Sequence, residues 1–214
     1  MQKLKAIVIG ATGATGKELV KKLLEDTDFS TVSIFVRKSP KINHRKIIIN
    51  EIDFARIENF EKLVNGDVLF SCLGTTLREA GSKAKQFTVD YSYQYEFAKL
   101  ASKNGVKFYS LVSSAGANSK SIFFYPKIKG QLEESVKKLK FKTIHIFQPP
   151  SLIRQDELIR PGEKIAIRIF KGLNYLGVLK SLKPLPVSRL ADKMISEIKN
   201  NKKVKFKLYS SLEI

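Results

Sequence analysis

The sequence predicts an α/β chain: a doubly wound parallel sheet with helices on both faces and a small helical lid towards the C-terminal end. Three observations carry this expectation. Short apolar runs alternate with apolar stripes at helical spacing as far as Pro149-Pro150, which is the rhythm of βαβ units. A glycine-rich turn joins the first apolar run directly to the first helical stripe. The length, 214 residues with 43% hydrophobic and 28% charged, suits a single domain, 1–214, with a core of ordinary size.

The elements follow in order. Leu4 to Ile9 reads as a buried strand. Gly16 to Glu25 reads as a helix, because Leu19, Val20, Leu23 and Leu24 share one face. Val32 to Val36, Lys46 to Ile52 and Asp67 to Leu73 are the next three strands. Gln86 to Lys103 is helical, with Phe97, Leu100 and Ala101 on one side and Asn104-Gly105 as its stop. Lys107 to Val112 is a fifth strand, Tyr125 to Leu139 a helix and Thr143 to Phe147 a sixth strand. Residues 151–185 break the rhythm and form the expected substrate or lid region, with a basic apolar stretch over 164–180. Val187 to Lys199 then returns to a helical pattern, and Val204 to Tyr209 suits a last strand.

The chemistry begins at Gly10-Ala11-Thr12-Gly13-Ala14-Thr15-Gly16. Only 12 glycines occur in the chain, yet three stand here at G-x-x-G-x-x-G spacing between a strand and a helix. The first permits a tight turn, the second lets backbone approach a pyrophosphate, and the third lets helix pack on strand. The anion then rests on the helix N-terminus. The second strand ends in Val36-Arg37-Lys38 rather than in an acid. An acid would bind the ribose hydroxyl of NAD, whereas two cations suit a 2′-phosphate, so NADP(H) is the expected cofactor. Asp53, with Phe54 beside it, is placed to meet the adenine. Pro149 follows the sixth strand, where a backbone turn would meet the nicotinamide carboxamide.

Tyr125 and Lys129 lie four apart and share a helical face. A phenol near a lysine ammonium can donate a proton to a carbonyl or take one from an alcohol. The same spacing occurs at Tyr95 and Lys99, but that pair falls within the helix between the fourth and fifth strands. Tyr125 instead opens the helix after a strand that ends Val112-Ser113-Ser114, where a serine hydroxyl would meet the same oxygen. Ligands of parallel sheets bind at such strand ends.

Gly10 to Gly16, Asp53, Cys72-Leu73-Gly74-Thr75-Thr76, Ser113-Ser114 and Tyr125-x-x-x-Lys129 occur in the order seen in the short-chain dehydrogenase/reductase superfamily, which the chain resembles. Ala80-Gly81, Val89-Asp90, Gly116-Ala117, Leu139-Lys140-Phe141, Arg160-Pro161-Gly162-Glu163 and Val187 make it similar to one atypical branch, the HIV Tat-interacting oxidoreductase family. The resemblance implies an NADP(H)-binding Rossmann domain. It places Gly10, Gly13 and Gly16 at the pyrophosphate and Arg37 at the 2′-phosphate, with Leu73, Gly74 and Thr75 along the cofactor. It implies that Tyr125 is the acid/base, Lys129 its partner, and either Ser113 or Ser114 the third member. Where typical members carry Asn-Ala-Gly after the fourth strand, this chain carries Cys72-Leu73-Gly74. The expected reaction is hydride transfer from NADPH to a small carbonyl substrate, or the reverse from an alcohol. The rival is a regulator that senses NADP(H) and binds a protein partner.

Composition excludes several classes. No apolar run approaches the ~20 residues of a membrane-spanning helix, and Ala6 to Ile9 is too short for a signal peptide. One cysteine, Cys72, allows no internal disulfide, so a cytoplasmic protein is expected. Cys72 itself reads as a small hydrophobe ending a buried strand. His44 and His145 are too few and scattered for a metal site, and none is expected. The net charge is +19, but its 31 lysines are spread along the chain beside 8 arginines. A solvated surface, with no specific nucleic-acid partner, follows. A homodimer or protein partner stays open.

Overall fold

The computed structural model describes residues 3–153, 184–200 and 204–214. The expected basic stretch 164–180, and all of the expected lid region except its two ends, lie outside the described residues.

The elements, in order, are β1 (Leu4–Ile9), α1 (Ala14–Glu25), β2 (Phe29–Val36), β3 (Ile47–Glu51), a 3-10 helix (Phe54–Leu63), β4 (Val68–Ser71), α2 (Leu77–Ala80), α3 (Lys83–Phe87), a π turn (Thr88–Ser92), α4 (Tyr93–Lys103), β5 (Phe108–Val112), α5 (Phe124–Val136) and β6 (Thr143–Phe147). Short strands β7 (Leu152–Ile153) and β8 (Leu185–Pro186) pair with each other, and α6 (Val187–Asn200) and β9 (Phe206–Tyr209) complete the chain. Seven strands form one sheet in the order β3-β2-β1-β4-β5-β6-β9. Every neighbouring pair in it is parallel. The expected doubly wound α/β architecture is the observed one.

Because both faces are covered, the strands are apolar on both sides. In β1, Ala6 and Val8 join the cluster containing Leu19 and Leu23 of α1 and Leu190, Met194 and Ile198 of α6. Ile7 and Ile9 point the other way, to Phe97 and Ala101 of α4 and Leu132 and Val136 of α5. Burying each of the larger of these side chains contributes about 1.5–3 kcal/mol.

Two stretches depart from the expected pattern. Residues 54–63 form a 3-10 segment kinked at Arg56, with Phe54, Ile57 and Phe60 three apart on its core side, and Asp53 caps it, its Oδ1 accepting from Ala55 N at 2.9 Å. The expected helix over Gln86 to Lys103 begins earlier, at Lys83, and contains the π turn at Thr88–Ser92. Such turns mark places where a helix is locally re-aimed, often at a functional site. This one holds the buried Asp90.

One buried group outside the cleft described below makes stability depend on pH. His145 in β6 is fully buried, and neither ring nitrogen has a hydrogen-bond partner. Burial, chiefly, holds its pKa below the ordinary 6.5, with Glu197 opposing and Lys207 assisting. The folded state thus binds the proton less well than the unfolded state. Stability is full above the ordinary value and falls as pH drops from there towards the folded value. Each unit of depression is worth about 1.4 kcal/mol. Urea midpoints at pH 7.5 and 5.5 should therefore differ less for His145→Leu than for the parent chain. An equal difference would remove His145 as the cause.

Candidate functional site

The sheet order reverses between β1 and β4. Ligands of open α/β sheets bind in the crevice this reversal leaves at the carboxyl ends of the strands. A cleft of about 1290 Å³ lies there. Its floor is built from the glycine turn. Gly10 has a φ of +78°, which favours glycine, and a Cβ on it would lie 2.4 Å from the carbonyl carbon of Cys72. A Cβ on Gly16 would lie 2.1 Å from the carbonyl oxygen of Gly10, so α1 can reach the turn this closely only through glycine. Gly13 differs: the nearest atom to an added Cβ is 3.4 Å away.

Helix α1 starts without a side-chain cap on Gly13 and without an acid in its first turn. Gly10, Thr12, Gly13, Ala14 and Thr15 line the cleft, whereas Ala11 and Gly16 are buried behind it. A helix N-terminus opening on a cleft with no acid in the first turn is suited to an anion.

Arg37, after β2, lines the same cleft and has no ion-pair partner among the described residues. Lys38 is exposed and not part of the lining. Phe54 lines the cleft and packs on Tyr93 at 5.8 Å and Phe97 at 6.3 Å. Asp53 lies off the lining, with its carboxylate engaged as the cap of the 3-10 helix. After β4, Leu73, Gly74 and Thr75 form a wall, together with Cys72, whose thiol burial pushes up to about 12. At such a value the thiol stays protonated and is a poor nucleophile.

The two Tyr/Lys pairs separate cleanly. Tyr125 and Lys129 both line the cleft. Tyr125 is 39% exposed, whereas Lys129 is 2% exposed and donates from Nζ to the carbonyl of Val112 at 3.2 Å. Tyr95 stacks on Tyr91 with ring centroids 5.9 Å apart, Lys99 pairs with Glu96 at 3.5 Å, and neither lines the cleft. The serines separate as well. Ser113 lines the cleft, and Ser114 does not, its Oγ donating to the carbonyl of Ala115 at 3.3 Å. Pro149 is buried off the lining, and its carbonyl accepts from Ala115 N at 2.9 Å.

Some residues that shape the cleft had no role assigned from the sequence. Asp90, fully buried, accepts from Thr75 N at 3.3 Å and so holds the wall after β4. Burial pushes its carboxyl up, and the charge of Lys129 opposes this. Glu133 is buried one turn beyond Lys129 and accepts from Ser113 Oγ. Spacing by four from Lys129 was its only signal. Gly130 brings α5 against the loop after β5, since a Cβ there would lie 2.2 Å from Ser119 N. Among the described residues no three of His, Cys, Asp and Glu gather as a metal site.

A parallel sheet in this order, a glycine turn under a helix N-terminus and a cleft at the reversal point define a dinucleotide-binding Rossmann protein. The chain belongs to the NAD(P)H-binding family, whose profile matches residues 10–143. It is 36% identical to Protein HTATIP2 of Rattus norvegicus over 179 residues, which cover 81% of this chain and 73% of the rat protein. It is 34% identical to the mitochondrial Protein FMP52-1 of Scheffersomyces stipitis over 194 residues, 88% of this chain and 81% of that one. Among solved structures, a UDP-N-acetylglucosamine 4-epimerase from Methanobrevibacter ruminantium shares the fold at a TM-score of 0.74 and 16% identity, over 98% of this chain and 77% of that chain. A short-chain dehydrogenase from Burkholderia cenocepacia in complex with NADP does so at 0.68 and 14%, over 99% and 90%. No helix among the described residues is long and apolar enough to cross a membrane.

Proposed function

We propose that the chain is an NADPH-dependent oxidoreductase acting on a small carbonyl compound, or on the alcohol in reverse. The observation that carries this is the meeting in one cleft of Tyr125, the buried Lys129, the glycine turn and Arg37. When bound, the nicotinamide supplies or receives the hydride. The chain's own residues do the rest. Gly10, Gly13 and the start of α1 hold the pyrophosphate, and Arg37 holds the 2′-phosphate. Lys129, fixed on the Val112 carbonyl with protons to spare, binds the nicotinamide ribose hydroxyls. Tyr125 gives its phenolic proton to the carbonyl oxygen. Residues 151–185 act as the lid. We place the protein in the cytoplasm.

Calorimetric titration with NADPH, NADP and NADH tests the cofactor. The phosphorylated forms should bind more tightly. Arg37→Ala should weaken them by about 10- to 100-fold, the range for losing a hydrogen bond to a charged group, and leave NADH unchanged. Equal affinity for NADPH and NADH in the parent chain would sink the 2′-phosphate assignment.

A second reading, an NADP(H)-sensing protein that docks a partner, is favoured by Ile122 and Phe123. They stand 91% and 68% exposed just before α5. Tight NADPH binding with no turnover over a broad carbonyl panel would put this reading first.

A further inference from the structure

Ser113 faces two ways. It lines the cleft, yet its Oγ donates inward to Glu133 Oε1 on α5. Glu133 is 4% exposed, and Gln148 Nε2, just past β6, donates to its two oxygens at 2.9 and 3.1 Å. All three of these bonds are donated to Glu133. A serine hydroxyl has one proton and two lone pairs. With the proton committed to Glu133, lone pairs are what Ser113 has left for the cleft.

We propose that Glu133, backed by Gln148, sets Ser113 as a hydrogen-bond acceptor towards the cleft, so that the site holds a hydroxyl-bearing ligand in preference to the ketone of the same shape. The proposal rests on the oxidoreductase reading, with Tyr125 and Ser113 meeting the oxygen of the carbonyl or alcohol. A ketone oxygen only accepts. It takes a bond from Tyr125 and meets Ser113 lone pair to lone pair. An alcohol accepts from Tyr125 and donates to Ser113. Leaving a buried acceptor unpaired is costly, and sites built to bond a hydroxyl discriminate strongly against analogues that lack it. Ser114 does not supply the missing donor, because it lies off the lining with its proton on Ala115. Glu133 is a positioning residue: it is not part of the lining and acts through Ser113.

The test is binding, so it needs no turnover. Matched pairs, cyclohexanol with cyclohexanone and 1-phenylethanol with acetophenone, are titrated into the full chain saturated with NADP and followed by ligand-observed NMR. Each alcohol should bind about tenfold tighter than its ketone. The double variant Glu133→Met/Gln148→Leu removes the inner acceptor together with the amide it satisfies. The Ser113 proton then turns to the cleft, and the preference should fall to parity or reverse. A packing role for Glu133 would weaken both members of a pair and leave their ratio intact. The proposal is overturned by ketones that match alcohols in the parent chain, by binding of neither class, or by a folded double variant with an unchanged ratio. Should that variant not fold by circular dichroism, Ser113→Ala decides: parity supports the proposal and a retained alcohol preference overturns it. Alcohol preference without turnover on a carbonyl panel would overturn the oxidoreductase reading alone. Turnover without alcohol preference would overturn this one alone.

Discussion

Tyr125→Phe should lower carbonyl turnover by about 10²- to 10⁴-fold, the usual contribution of a positioned acid or base, and leave NADPH affinity close to that of the parent chain. The phenol is the proton donor of the proposed reaction, and phenylalanine keeps the ring while removing only the hydroxyl. Two other proton-bearing groups on the cleft, Cys72 and Ser113, replace it poorly. The Cys72 thiol stays protonated at its raised value of about 12. The Ser113 proton is committed to Glu133. Cofactor binding is expected to survive because the glycine turn, Arg37 and Lys129 do not depend on that hydroxyl. Tyr95→Phe is the matched control, since its ring stacks on Tyr91 away from the cleft. Steady-state rates with one carbonyl substrate, alongside NADPH titrations, check all three claims. Equal turnover by Tyr125→Phe would remove the proposed mechanism.

The strands were legible because a parallel sheet buried on both faces needs continuous apolar runs, and these stand out between Gly, Asn and Pro. Thr143–Phe147 is the clearest case, its observed bounds being those expected from the residues alone. The turn at Gly10 was legible for a different reason: three glycines in a glycine-poor chain mark backbone that must pass close to something. What stayed hidden depends on contacts between distant segments. Asp53 is expected at the adenine by its place after β3, and its second task, capping the 3-10 segment that follows, is not written in its spacing. Glu133 and Gln148 are 15 residues apart and meet only because α5 packs across the end of β6. The π turn at Asp90 falls in Thr88–Ser92, five residues of modest helix propensity inside a longer helical pattern, and nothing in their spacing marks the widened turn. Choosing between the two Tyr/Lys pairs needed only the strand that precedes Tyr125. Choosing between Ser113 and Ser114 needed the structure, because adjacent residues at a strand end point to opposite sides.

Gly16→Ala and Gly13→Ala should separate architecture from ligand approach within one seven-residue turn. At Gly16 the added carbon would lie 2.1 Å from the Gly10 oxygen, 2.7 Å from the Gly10 carbonyl carbon and 2.9 Å from the Ala11 Cα. All three are backbone atoms, so α1 must move away from β1 as a unit. Overpacking of this kind costs about 1–3 kcal/mol, and each kcal/mol lowers the melting temperature of a chain this size by about 2–4 °C. The displaced helix carries the anion site with it, so NADPH binding should fall together with stability. At Gly13 the backbone is extended, with φ −77°, and the nearest contact of the new carbon is 3.4 Å. Alanine fits there at a cost of about 1 kcal/mol or less, the ordinary penalty for a poorer helix cap. The methyl group, however, stands on the wall that a pyrophosphate must approach. That variant should keep its melting temperature nearly unchanged and still bind NADPH at least about tenfold more weakly, a loss of about 1.4 kcal/mol. Thermal melts without cofactor, paired with calorimetric titrations, read the two effects independently. If Gly13→Ala binds NADPH as the parent does, the pyrophosphate does not lie against this turn, and the shared assignment of Gly10, Gly13 and Arg37 to one ligand fails with it.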